Sequence, residues 1–307
     1  MGTIMTVRGP IQPEQLGVCY PHEHLLTRPP ASVTDPDLTI DSEDAAVQEL
    51  GYFRMAGGQS IVEMTPPDYG RNPEGLKRIS ERSGVHIIST TGWLKDAYCR
   101  PFVESRSEDD LAEEMIRDLM QGIGQSGVRA GVIKIATSLN KITPAEEKVA
   151  HAATRAARET GAPIITHTEA GTMANEQLDL LTSDGVKPDR ICLSHLDRHT
   201  NWEVHYGVVS RGANLIYDQI SKEKYVPDAQ RVALVKRMVQ EGFGGQIMLA
   251  GDFSRKSYWP SYGMGGGPGL TYILWRFVPW LRAEGLSEEA IEGLLVRNPA
   301  RCLQWAD

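Results

Sequence analysis

Eight short apolar runs alternate with longer helical stretches along this chain, at residues 16–20, 60–65, 86–91, 132–137, 163–168, 190–196, 214–220 and 246–251. Most are continuously apolar rather than alternating, the pattern of strands covered on both faces. The stretches between them carry helix signals. Thr143-Pro144-Ala145-Glu146 is a capping box with proline in the first turn, opening a helix that runs to Thr160 and stops at Gly161. Further helices are expected over 42–55, 74–83, 108–122, 175–183, 227–241 and 287–296. Strands and helices in this alternation predict an α/β fold closed as a (β/α)8 TIM barrel, with its chemistry at the carboxyl ends of the strands. A doubly wound open sheet would usually place a glycine-rich turn after its first strand, and none follows Tyr20. No linker, low-complexity stretch or charge run marks a boundary, so residues 1–307 read as one domain.

Composition narrows the function. Thirty-two basic residues against forty acidic ones give a net charge of −8 without a long basic block, which argues against a nucleic-acid partner. No apolar run approaches the ~18 residues of a membrane span. Residues 1–6 lack the charged start and long apolar stretch of a secretory leader, although Gly2 and Thr6 fit a loose myristoylation pattern. Cys19, Cys99, Cys192 and Cys302 lie far apart with no C-x-x-C pair, as expected of reduced thiols in a cytoplasmic protein.

Polar residues gather at the predicted strand ends. The first strand leads into His22-Glu23-His24, the second ends near Glu63, the fifth carries His167, the sixth His195, and the eighth ends in Asp252. In a barrel these ends converge on one face, so residues far apart in sequence would meet. His22 and His24, two apart on an extended backbone, project to the same side. Neutral imidazoles with a carboxylate are a ligand set for zinc and its neighbours. Lys134 sits mid-strand in Val132-Ile133-Lys134-Ile135-Ala136, where an ammonium is costly to bury and worse beside metal cations. It is either half of a buried salt bridge, with Glu63 as the nearest candidate, or a lysine carboxylated by carbon dioxide. The carbamate would be an anion with two oxygens, able to bridge two metals. The glycine-rich segment 263–269 does not fit G-x-G-x-x-G, and nothing else suggests a redox cofactor, so hydrolysis is the expected chemistry.

Taken together, His22-Glu23-His24, the lysine in 132–138, Thr-His-Thr-Glu-Ala-Gly-Thr over 166–172, the segment 194–198 and Gly251-Asp252 resemble the phosphotriesterase family of the amidohydrolase superfamily. The resemblance implies a (β/α)8 barrel holding two divalent metals bridged by a carboxylated Lys134, in a homodimer. His22, His24 and Asp252 would hold the buried metal, and His167 and His195 the more exposed one. Zinc suits these ligands, with manganese, cobalt or iron as alternatives. A metal-bridging water would be acidified to hydroxide and attack a carbonyl or phosphoryl centre, with Asp252 accepting the proton. Asp197, just beyond His195, is the expected orienting partner.

The loops must choose the substrate. Arg255, Lys256 and Tyr258 follow Asp252 closely, and Lys224 follows the seventh strand. Either they form a pocket for an anionic small-molecule substrate or Arg255 and Lys256 face solvent. Lys224, Arg255 and Tyr258 resemble the phosphate-binding set of the phosphorylated furanose lactonases. Tyr217-Asp218-Gln219 lacks the histidine of organophosphate-degrading relatives, and Gly92 is followed by Trp93 and Leu94 where acyl-homoserine-lactone lactonases have a tyrosine two residues on. The expected reaction is therefore the opening of phosphorylated aldono-1,4-lactones. Unphosphorylated lactones, carboxyl esters and phosphotriesters are the alternatives, and Trp93 and Tyr98 are expected to wall the pocket.

Overall fold

Continuously apolar strands must be covered on both faces, and the chain does this by wrapping helices around a ring of parallel strands. The structure, a computed structural model, describes residues 2–264 and 266–306. Met1 of the amino-terminal pattern, Gly265 of the glycine-rich segment and Asp307 lie outside the described residues. The ring strands are β1 (Cys19–Glu23), β2 (Ser60–Glu63), β3 (His86–Gly92), β4 (Val132–Thr137), β5 (Ile164–Thr168), β6 (Ile191–Ser194), β7 (Asn214–Tyr217) and β8 (Ile247–Leu249). They pair in chain order, every neighbour parallel, as a (β/α)8 barrel requires.

The covering helices are α1 (Glu43–Met55), α2 (Pro73–Ser83), α3 (Asp96–Val103), α4 (Glu108–Met120), α5 (Pro144–Thr160), α6 (Ala174–Ser183), α7 (Trp202–Val209) and α8 (Asp228–Gln240), followed by shorter helical turns. Thr143 caps α5, accepting from the Glu146 N–H, and Gly161 ends it at φ 76°, as the capping box and glycine predicted. Among the described residues, no helix is long and apolar enough to cross a membrane.

Three features differ from the sequence expectation. A short antiparallel hairpin, Ile4–Thr6 with Gly9–Ile11, precedes the barrel, and the Val7 N–H donates to the Ile87 carbonyl at the start of β3 (2.8 Å). α3, with Pro101 inside it, occupies a stretch where no helix was expected. β1 starts later than residue 16 and takes in His22 and Glu23 themselves.

That last shift explains how the ring closes. β8 and β1 share no strand ladder, but the Asp252 N–H donates to the His22 carbonyl (3.1 Å). The buried Glu23 carboxylate accepts from the N–H groups of Gly251 (2.6 Å) and Phe253 (3.0 Å). The acid between the two histidines thus ties the first strand to the last and brings Asp252 beside them. Gly92 is constrained at the opposite side of the ring: at φ 92°, a Cβ would stand 2.0 Å from the Lys134 carbonyl oxygen.

Candidate metal centre

The histidine rings are oriented from outside inward. The Nδ1 of His24 lies 2.8 Å from the Thr65 hydroxyl, whose single proton goes to Glu63 Oε1 at 2.6 Å. Thr65 must therefore accept from His24 Nδ1–H, leaving the lone pair on Nε2. His195 Nδ1 lies 2.7 Å from Asp218 Oδ1, and an ionised carboxylate only accepts, so the His195 lone pair is also on Nε2. His22 Nδ1 has Ser194 Oγ at 2.9 Å as its aligned partner and Asp218 Oδ2 at 2.9 Å as a close anion without hydrogen-bond alignment. That anion repels a lone pair, so Nδ1 carries the proton. His167 is turned the other way: Nε2 donates to Glu169 Oε2 (3.0 Å) and Nδ1 faces inward.

Four rings thus aim their inward nitrogens at one small volume. His22 Nε2 stands 3.2 Å from Lys134 Nζ, and His24 Nε2 stands 3.3 Å from Asp252 Oδ1. His195 Nε2 and His167 Nδ1 face each other at 2.8 Å, two acceptors with no proton assigned between them. Burial holds His167 down at about 3, with the neighbouring His195 adding to the effect, so the His167 ring keeps a lone pair to offer near neutral pH. A cation between the two nitrogens would resolve the conflict. By donor type and lone-pair direction, His22, His24 and Asp252 fit one divalent metal, and their ligand atoms lie within 4.8 Å of one another. The other close set, His22, His195 and Asp218, joins Asp218 to the outward Nδ1 atoms and is a hydrogen-bonded support rather than a second such position.

The backbone shows where this set is held against local preference. His195 (φ 68°) and Asp252 (φ 45°) both occupy the left-handed region, at a cost of roughly 1–3 kcal/mol each for residues with a Cβ. Although burial pushes it up, the adjacent His195 and His22 hold the Asp218 carboxyl far below the usual range. Asp252 is likewise held low against burial, by Lys222 and His24.

Lys134 is buried, and among the described residues no carboxylate pairs with it. Burial lowers its pKa to about 8. The Glu63 salt bridge expected as one reading is absent, because Glu63 is spent on the Thr65 hydroxyl and on the Leu25 N–H (3.1 Å). A buried ammonium aimed at an imidazole lone pair cannot ligate a cation; only the neutral amine or an anionic derivative of it could.

The other expectations divide. Asp197 does not orient a ring: its Oδ2 accepts from the Gln219 N–H (2.8 Å) and from Arg231 (3.1 Å), and Asp218 takes the role expected of it. Arg255 is paired with Asp35 (2.6 Å) and Asp37 (3.3 Å), and Lys256 with Asp41 (2.9 Å). Lys224 approaches the rings of Tyr225 (4.9 Å) and Tyr258 (5.8 Å). One short turn joins Arg255 to Tyr258, the Tyr258 N–H donating to the Arg255 carbonyl (3.1 Å). Tyr98 and Tyr69 wall the site, edge to face at 5.7 Å, but Trp93 is buried against Phe102 instead. Sequence reading missed Asp218, Gln219, Lys222, Thr65 and Glu169. Their signal was their place just past a strand end, which many ordinary loop residues share. The cavity over the inward lone pairs is about 130 Å³, small beside the ~300 Å³ at the lower end of ligand pockets.

The model of the phosphotriesterase family matches residues 2–303. The phospho-furanose lactonase of Mycoplasmopsis synoviae (strain 53) is 32% identical over 322 residues, spanning 98% of this chain and 91% of its own. The N-acetyltaurine hydrolase of Salmo salar is 30% identical over 347 residues, spanning 99% of this chain and 98% of its own. Among solved structures, a lactonase from Listeria monocytogenes superposes with a TM-score of 0.95 at 34% identity, covering 99% of this chain and 100% of that one.

Proposed function

The chain belongs to the phosphotriesterase family of metal-dependent hydrolases, and on that premise we propose that it opens phosphorylated aldono-1,4-lactones. The substrate assignment rests on Lys224, Arg255 and Tyr258, two cations and a phenol on the loops after the last two strands: Lys224 Nζ lies 5.8 Å from the Tyr258 ring centre, and one short turn joins Tyr258 to Arg255, three residues past Asp252. A phosphate suits this set, because a guanidinium binds two of its oxygens at once and an ammonium adds a point charge. The Mycoplasmopsis relative is named for a phosphorylated furanose lactone, which supports the reading. The Salmo relative is named for an amide of taurine, a sulfonate, and shares the combination of an acyl centre with an anionic tail.

His22, His24 and Asp252 would hold one metal, His167 and His195 a second, and a carboxylated Lys134 would supply the anionic oxygens that the second position otherwise lacks. Zinc, manganese, cobalt or iron fit these donors. Two such cations, when bound, would supply the acidification of water and the polarisation of an acyl oxygen. The chain's own residues do the rest. Tyr69, Tyr98, Leu38 and Leu94 wall the cavity and limit the water around the reacting groups, which strengthens every charge interaction there. Lys224, Arg255 and Tyr258 would fix the phosphate and so place the lactone carbonyl. Asp252 Oδ1 would accept the proton of the attacking water and return it to the ring oxygen as the acyl bond breaks. Its other oxygen is unavailable, since Oδ2 already accepts from Lys222 and Gln219, each at 2.8 Å.

The test is a pH-indicator hydrolysis screen of the metal-reconstituted protein. Five- and six-carbon aldonolactones, each with and without a terminal phosphate, would be compared with N-acetyltaurine, a carboxyl ester and a phosphotriester. At least a 100-fold higher kcat/KM for a phosphorylated lactone than for its unphosphorylated partner is expected. Equal rates on the two, or a preference for the amide, ester or phosphotriester, would discard the substrate assignment and leave the metal centre standing.

A further inference from the structure

Two lysines stand two residues apart after β7, and the fold uses them differently. Lys224 lies near the rings of Tyr225 and Tyr258. Lys222 turns inward and is buried, its side chain 4% exposed. Ser221 sets this turn. It lies at φ 78°, and its N–H is held by both oxygens of Asp228 (3.1 and 3.0 Å), a carboxylate gripped in turn by Arg231 (2.7 Å).

The Lys222 ammonium makes two short contacts with one residue. It donates to the backbone carbonyl of Asp252 (2.7 Å) and to Asp252 Oδ2 (2.8 Å). Gln219 gives the same Oδ2 a second donor (2.8 Å). The Asp252 N–H is already taken by the His22 carbonyl, so main chain and carboxylate are held at three points and only Oδ1 is left facing His24. We propose that Lys222 is a positioning residue of the metal centre. By gripping the carbonyl and Oδ2 of Asp252 together, it holds a left-handed backbone in place and presents Oδ1 as a single coordinating oxygen. Gln219 supports it from the neighbouring position. The inference rests on reading Asp252 as a metal ligand, and it is independent of the substrate assignment.

The competing role is substrate contact, since Lys222 Nζ lies 5.6 Å from the Tyr258 ring centre. Metal affinity separates the two without any substrate. Cobalt(II) would be titrated into metal-free wild type, Lys222→Met, Lys222→Arg and Gln219→Leu against a competing chelator, following the visible cobalt spectrum. Kinetics on the best substrate of the screen would run alongside. Loss of an outer partner of a metal ligand typically costs 10–100-fold in affinity or activity. Lys222→Met is expected to weaken one of the two cobalt equivalents by that factor and change its spectrum, lowering kcat with KM within about twofold. Lys222→Arg should recover part of the affinity, and Gln219→Leu should shift it the same way by a smaller factor. If Lys222→Met does not fold, the other two variants report on the same quantity. Wild-type cobalt affinity and spectrum in the folded variants would overturn the proposal. So would a tenfold rise in KM at unchanged metal affinity, which is the signature of a substrate contact. A wild type that binds no cobalt would instead overturn the metal reading beneath it.

Discussion

The barrel side and the loop side of the site are held by different kinds of contact. On the barrel side each histidine ring has a hydrogen-bond partner on its outward nitrogen, and the fully buried Asp218 lies against two of them. On the loop side the contacts are ion pairs open to solvent. Arg255 is 27% exposed and its partner Asp35 42%, while Asp41, the partner of Lys256, is 51% exposed. A buried carboxylate cannot lose the groups that hydrogen-bond it without being stranded in a poorly solvated interior, at a cost of roughly 1–3 kcal/mol or more. An exposed pair contributes about 0–1 kcal/mol and can exchange its anion for another. The buried half therefore holds the reacting groups in place, whereas on the proposed reading the exposed half would exchange Asp35 for an anionic group on the substrate.

Four substitutions would break or sharpen this contrast. Asp252→Asn strikes the buried half directly, and kcat on the preferred substrate is expected to fall by about 10³; near-normal turnover would remove the proton transfer assigned to Oδ1. Asp218→Asn touches neither metal nor substrate, yet it should weaken metal binding by about 10–100-fold in a chelator competition, because the His195 and His22 rings lose their common anion. An unchanged affinity would mean that the barrel itself orients the rings. Arg255→Ala belongs to the exposed half. It should raise KM for a phosphorylated lactone by about 10–100-fold, the worth of roughly 1.5–3 kcal/mol in charged hydrogen bonds, with metal content intact. A rise of the same size on the unphosphorylated lactone would show that Arg255 serves the fold rather than the phosphate. The smallest effect is expected from Asp35→Asn, which should lower KM for the phosphorylated substrate by no more than about fivefold as Arg255 loses a competing anion. An increase in KM would mean that Asp35 helps to form the anion pocket instead of competing for it.

Much of this protein was legible in the residues themselves. The alternation of apolar runs and capped helices specified the barrel, because strand and helix periods and caps are local properties read over a few residues. His22, His24, His167, His195, Asp252 and Lys134 could be picked out because imidazoles, and a lysine in an apolar run, are conspicuous at strand ends. Their supports could not. Asp218, Gln219 and Lys222 look like any polar loop residues, and Asp197 was as good a candidate as Asp218 until the turn after β6 directed it to Arg231. Glu23 reads as a spacer between two histidines, whereas it closes the ring onto Gly251 and Phe253. Arg255 was an open cation until the loop after β1 brought Asp35 and Asp37 against it from about 220 residues away in the chain. Residue type and local period decided the fold and the metal-binding chemistry. Which polar group supports which ligand was decided only by tertiary structure, because hydrogen bonds and ion pairs depend on ångström-scale meetings of segments that no local pattern records.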